Sequence, residues 1–63
     1  MPSKVSTEAY MILLAYGIDK NRAIKALVHT GGGSVDQALD WLGLHMDDEN
    51  IDQPYTDPVL MVD

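Results

Sequence analysis

The fold class predicted by this 63-residue chain is all-α: a compact three-helix bundle followed by an extended acidic C-terminal tail. Three observations lead there. Apolar residues recur three times at the spacing of one helix face, a side chain suited to capping a helix precedes each stretch, and glycine interrupts the chain between them.

The first helix opens at Ser6 or Thr7, and Ala9, Ile12, Leu13 and Tyr16 fall at i, i+3, i+4, i+7 on its buried face. Gly17 ends it, in the left-handed conformation that glycine adopts at least cost. Asp19 is placed to accept hydrogen bonds from the free amides of a second helix and to oppose its dipole. The inner stripe of that helix is Ala23, Ala26, Leu27 and Thr30, with Ile24 and Val28 alongside; its alanines let another helix come close. Three glycines, 31 to 33, break it, because the run carries too much backbone entropy to stay helical.

Ser34 and Gln37 read as a capping box at the start of a third helix, whose stripe is Val35, Ala38, Leu39 and Leu42. It ends near His45 or Met46. The following DDENIDQPYTDP lacks periodicity and reads as an extended segment. A last apolar run, Val59 to Val62, can pair as an edge strand, fold back on the bundle or lead into a further domain. The expected organisation is an N-terminal extension at 1–6, the bundle at 7–46, and at 47–63 an acidic extended tail or the start of a next domain.

Composition narrows the function. There are no cysteines, so neither a disulfide framework nor a cysteine zinc site staples the chain. Burial at ~25 cal/mol per Å² nearly cancels an ordering cost of ~1.5 kcal/mol per residue in a chain this short, which leaves little room for a catalytic cleft. No apolar run is long enough for a membrane span, and MPSKVSTE lacks the apolar core of a signal peptide. A cytoplasmic setting, or also a nuclear one, is expected, with no membrane partner.

The net charge of -6 is unevenly placed. Lys4, Lys20, Arg22 and Lys25 balance Glu8, Asp19, Asp36 and Asp40, so the first 46 residues are neutral; the excess lies in Asp47, Asp48, Glu49, Asp52, Asp57 and Asp63. Nucleic acid is an unsuitable partner. The cations on the second helix are few, and Asp19 and the acidic segment oppose a phosphate backbone.

Other chemistries fail on spacing. The glycine run lacks the Lys-Ser/Thr pair of a phosphate-binding loop and the preceding strand of a dinucleotide site. Asp48, Asn50 and Asp52 start like a calcium loop, but Gln53 replaces its glycine and Val59 its closing glutamate. His29 and His45 sit on different helices without a cysteine near either, and nothing sets a nucleophile beside a base. No catalytic residue, metal or cofactor is expected, and Trp41 reads as a core or boundary aromatic.

The ordered signals resemble the ubiquitin-associated (UBA) domain. The turn Tyr16-Gly17-Ile18 stands where the family has Met-Gly-Phe/Tyr. Ala23 with Ala26 and Leu27 matches its second-helix stripe, Thr30-Gly31-Gly32 its loop, and Ala38 with Trp41 and Leu42 its third helix. The match covers residues 8 to about 46. More narrowly, TGGGSVDQALDWLGLH with the acidic DENIDQPY looks like the UBA domain of the suppressor of T-cell receptor signalling (TULA) family, whose proteins also carry an SH3 and a histidine-phosphatase-like domain.

The resemblance implies a non-catalytic, monomeric module that binds ubiquitin or polyubiquitin and recruits a larger protein to ubiquitylated partners in signalling. By position, the implied contact residues are Tyr16, Gly17 and Ile18 in the turn and Asp40, Gly43 and Leu44 on the third helix. Those last three are spaced i, i+3, i+4 and lie off the inner stripe. Gly43 costs about 1 kcal/mol relative to alanine inside a helix, which close approach of another backbone, or a fraying helix end, accounts for. Tyr16 and Ile18 depart from the family's Met and Phe, so the alternative is a module that keeps the fold and binds a non-ubiquitin partner or a neighbouring domain.

Overall fold

The computed structural model describes residues 2–63. A short strand, β1 (Ser3–Ser6), leads into three helices, α1 (Thr7–Ala15), α2 (Lys20–His29) and α3 (Val35–His45), and a final strand, β2 (Val59–Val62). The caps are where local chemistry calls for them. Ser6 Oγ accepts from the Ala9 amide at 3.2 Å, Asp19 Oδ2 from Asn21 at 3.0 Å, and Ser34 Oγ from Gln37 at 3.3 Å. The Ser34 bond is the forward half of the expected capping box. At the far end of α2, the Thr30 hydroxyl donates to the Ala26 carbonyl at 2.6 Å.

The core consists of Val5, Ala9, Leu13, Ala23, Ala26, Leu27, Ala38, Leu42 and Ile51, with Val35, Leu39 and Trp41 packed partly buried against it. Four small alanines from α1, α2 and α3 among these nine explain how short helices approach closely enough to exclude water. One position departs from the expected stripes. Tyr16 caps α1 rather than continuing its buried face and stays 63% exposed, since the helix has stopped before its side chain can turn inward.

Two segments that read as peripheral pack on the helices. Val5 in β1 is fully buried, although it lies within the stretch expected to be an extension. The acidic segment is not an extended tail: successive turns through residues 45 to 53 bring Ile51 into the core at 5% exposure. Its anions meet the cations of α2. Arg22 Nε donates to Asp52 Oδ1 at 2.7 Å, Asn21 Nδ2 to the Asp52 carbonyl at 3.0 Å, and Lys25 Nζ to the Asn50 carbonyl.

Of the three roles open to Val59 to Val62, the structure takes the strand. β2 pairs parallel with β1 in the register Ser3 to Val59 through Ser6 to Val62. Parallel neighbours need a long crossover, and here the whole helical bundle supplies it. The loop after α2 fastens β1 from the other side. The Ser6 amide donates to the Gly32 carbonyl at 2.7 Å, and Gly32, at φ +88°, lies so close to β1 that a Cβ there would fall 1.9 Å from the Lys4 carbonyl oxygen.

Candidate functional site

The turn between α1 and α2 is built by backbone bonding. The Gly17 amide donates to Leu14 at 2.9 Å and the Ile18 amide to Leu13 at 3.2 Å, the paired bonds of a Schellman motif, with Gly17 at φ +87°. That motif brings the residue after the glycine back over the last helical turn. Ile18 accordingly packs against the core cluster containing Leu13, and it is half-buried rather than free. An apolar side chain next to a turn glycine therefore has a structural reason before it has a functional one.

The same turn faces the end of α3 across a groove of about 520 Å³, lined by Gly17, Ile18, Leu39, Leu42, Gly43 and Met46. Asp19, Arg22 and Asp52 complete it on its polar side. Of the six residues expected to make contacts, Gly17, Ile18 and Gly43 line the groove together. Tyr16 and Leu44 are exposed apolar groups outside its lining, with Leu44 at 83%, and Asp40 is an exposed member of α3.

Met46 and the Arg22–Asp52 pair are groove residues that the sequence reading did not assign. Met46 carries a legible signal, three residues beyond Gly43 at the end of an amphipathic helix and 58% exposed. The ion pair carries none. Its members are thirty residues apart and meet only because Ile51 seats the intervening segment.

Gly43 has open space around it, with no atom within 4 Å of where a Cβ would lie. Nothing inside the fold requires a glycine there. Gly43→Ala should therefore stabilise the isolated domain by about 1 kcal/mol, read as a higher midpoint in thermal or urea unfolding.

The hydrogen bond and charge of Arg22 hold the Asp52 carboxyl below its usual value, and the same pair raises Arg22. A lowered carboxylate pKa stabilises the fold above the unfolded-state value and loses that contribution as pH falls through the carboxylate range. Asp52→Asn should accordingly lower the melting temperature slightly at pH 7 in low salt. The difference should shrink as pH falls through the carboxylate range, because protonation of Asp52 removes the charge that the variant lacks; a difference that does not change with pH would refute the ion-pair account.

Chemically the groove offers apolar area and a charged margin. Among the described residues that line it, the cation Arg22 is already bonded to the Asp52 carboxylate. On the far side of α3, Trp41 is stacked between His29 and His45, with ring centroids 5.1 and 4.2 Å away, and His45 Nδ1 lies 2.7 Å from Asp48 Oδ2. Trp41 is thus a boundary aromatic that does not reach the groove. Among the described residues, no helix is long and apolar enough to cross a membrane, and no three metal-ligating side chains gather.

A small helical bundle presenting a shallow apolar groove is the form of a protein-interaction module. Comparison with known proteins gives the family: the UBA-like domain model matches residues 12–53, well over half of the chain, and the chain belongs to the UBA-like domain family. Such a domain is a non-catalytic module. The chain is similar to ecdysteroid-phosphate phosphatase of Bombyx mori, at 48% identity over 79% of this chain and 8% of that protein. It is similar to UBX domain-containing protein 1 of Bos taurus, at 43% identity over 75% of the chain and 16% of the relative. Ubiquitin-associated and SH3 domain-containing protein B of Homo sapiens is 49% identical over 68% of the chain and 7% of the relative. The chain thus spans only a small fraction of the length of the curated relatives it matches. No solved structure matches it.

Proposed function

We propose that this domain binds ubiquitin through the groove between the α1–α2 turn and the end of α3, and so recruits a larger protein to ubiquitylated partners. The observation that carries the reading is the convergence of Gly17 and Ile18 with Gly43 on one apolar groove, flanked by the exposed Tyr16 and Leu44. Family membership supports the ligand. Tyr16, Ile18 and Leu44 supply apolar contact, Gly17 and Gly43 allow close approach, and Asp40 supplies a polar contact beside them. Met46 adds a flexible thioether that adapts to the partner's shape.

A groove this small makes a weak single-site contact, so recruitment depends on several ubiquitins or several copies of the domain being engaged at once. The narrower resemblance to the suppressor of T-cell receptor signalling family belongs to the same proposal. It is supported by the 49% identity to Ubiquitin-associated and SH3 domain-containing protein B. On this reading the domain serves a signalling protein of the cytoplasm, or also of the nucleus.

The experiment is a titration of the isotope-labelled domain with ubiquitin. Amide shifts should concentrate at residues 16–18 and 40–46. A flat titration at millimolar ubiquitin overturns the reading, and it would leave the groove to a non-ubiquitin partner.

A further inference from the structure

A second surface, separate from the groove, comes from β2. Among the described residues its one strand neighbour is β1, and its other edge pairs with no strand. The phase of the pairing follows from one bond. The Ser3 amide donates to the Pro58 carbonyl at 3.1 Å, and in a parallel ladder the residues of β2 that bond β1 then alternate. Leu60 and Val62 turn their backbone groups toward β1, while Val59 and Met61 turn theirs to the open side. Among the described residues, neither Val59 nor Met61 bonds to any other element.

That edge is short, four residues, and apolar. Its four residues are Val, Leu, Met and Val, without a lysine, proline or bulge inside the strand, and Leu60 and Met61 are 45% and 39% exposed. Beside its C-terminal end a second groove, of about 480 Å³, runs along α1 between Thr7, Glu8, Met11, Ile12, Ala15 and Asp63. Met11 is 62% exposed in it. Acidic residues flank the strand: Asp57 precedes it, Asp63 follows it, and Glu8 lines the same groove as Asp63, while Lys4 of β1 is the register partner of Leu60.

We propose that the open edge of β2 accepts an extended segment of another protein as a third strand, one with apolar residues at alternate positions and lysine or arginine at its ends. The backbone groups of Val59 and Met61 supply the main-chain hydrogen bonds. Leu60, Met61 and the α1 groove take the alternate apolar side chains, and Asp57, Glu8 and Asp63 select basic flanks. The same charges disfavour a second copy of this chain, because pairing β2 with itself brings Asp57 and Asp63 of both copies together.

The test is a titration of the labelled 63-residue domain with a blocked seven-residue peptide of alternating valine and threonine ending in lysine on both sides. Amide shifts should centre on residues 59–62 and spare residues 16–18 and 40–46. The same peptide with glutamate ends should bind at least tenfold more weakly, and one N-methylated at alternate residues should not bind. Absence of shifts at 59–62 with millimolar lysine-ended peptide overturns the proposal, as does equal binding of the glutamate-ended peptide. Shifts at 59–62 that appear on raising the domain concentration without peptide overturn it in favour of a second copy. Ubiquitin is absent throughout, so the outcome is independent of the groove.

Discussion

Gly32→Ala should unfold the domain at or near room temperature. A Cβ at this position lies 1.9 Å from the Lys4 carbonyl oxygen and 3.0 Å from its carbon, both backbone atoms that cannot rotate away. The residue also sits at φ +88°, where any side chain is strained by roughly 1–3 kcal/mol. Relief requires the loop and β1 to separate. That breaks the Ser6 to Gly32 hydrogen bond and withdraws Val5, whose full burial contributes about 2 kcal/mol.

The combined loss equals the roughly 3–5 kcal/mol that a core of this size supplies. Gly31→Ala is the matched control. Gly31 has a similar φ of +94° but nothing within 4 Å of its Cβ position, so its substitution costs the conformational part alone. Thermal unfolding followed by circular dichroism separates the two, and equal melting temperatures would show that β1 is not clamped by the loop.

Leu44→Ala should reduce ubiquitin affinity about tenfold or more while leaving the fold intact. At 83% exposure the side chain contributes almost nothing to the core, and a surface change of this kind stays within about 0.5 kcal/mol of the parent. A large apolar side chain that is covered by the partner beside the groove is worth about 1–2 kcal/mol, and 1.4 kcal/mol is a tenfold change in Kd. Ile18→Asp should weaken binding further, but part of its effect is on stability, because Ile18 also packs on the core beside the Schellman turn. Leu44 is therefore the cleaner probe. Calorimetry or a shift titration reads the affinity, and unchanged binding in Leu44→Ala with an unchanged melting temperature would move the contact surface elsewhere.

How much of this was legible in the chain depends on the range of the interaction concerned. The three helices and their Asp19 and Ser34 caps were legible, because a cap and its amide lie two or three residues apart; at the first helix the sequence left Ser6 and Thr7 as equal candidates, and the structure uses Ser6. The stop at Gly17 was legible for the same reason. The candidate contact residues were legible by family resemblance and, for Asp40, Gly43 and Leu44, by helix spacing; that Gly17, Ile18 and Gly43 share one groove is a property of the packing. Tyr16 was misplaced on a buried face because periodicity alone does not say where a helix ends.

Val5 and Ile51 were missed because each is a single apolar residue in a polar, aperiodic stretch, and burial without a repeat leaves no pattern. The anions of the C-terminal segment looked like a solvated tail. In the fold, Asp52 bonds Arg22 while Ile51 anchors the turn beside it.

By itself, then, the sequence determined three capped helices, their glycine breaks and membership of a small interaction family, since all of these rest on contacts within a few residues or on an ordered motif. Only the tertiary structure decided that β1 and β2, more than fifty residues apart, pair in parallel, that Gly32 admits no side chain, and that the acidic segment closes one side of the groove. Those features depend on which surfaces meet once the helices have packed, and no local preference encodes the meeting.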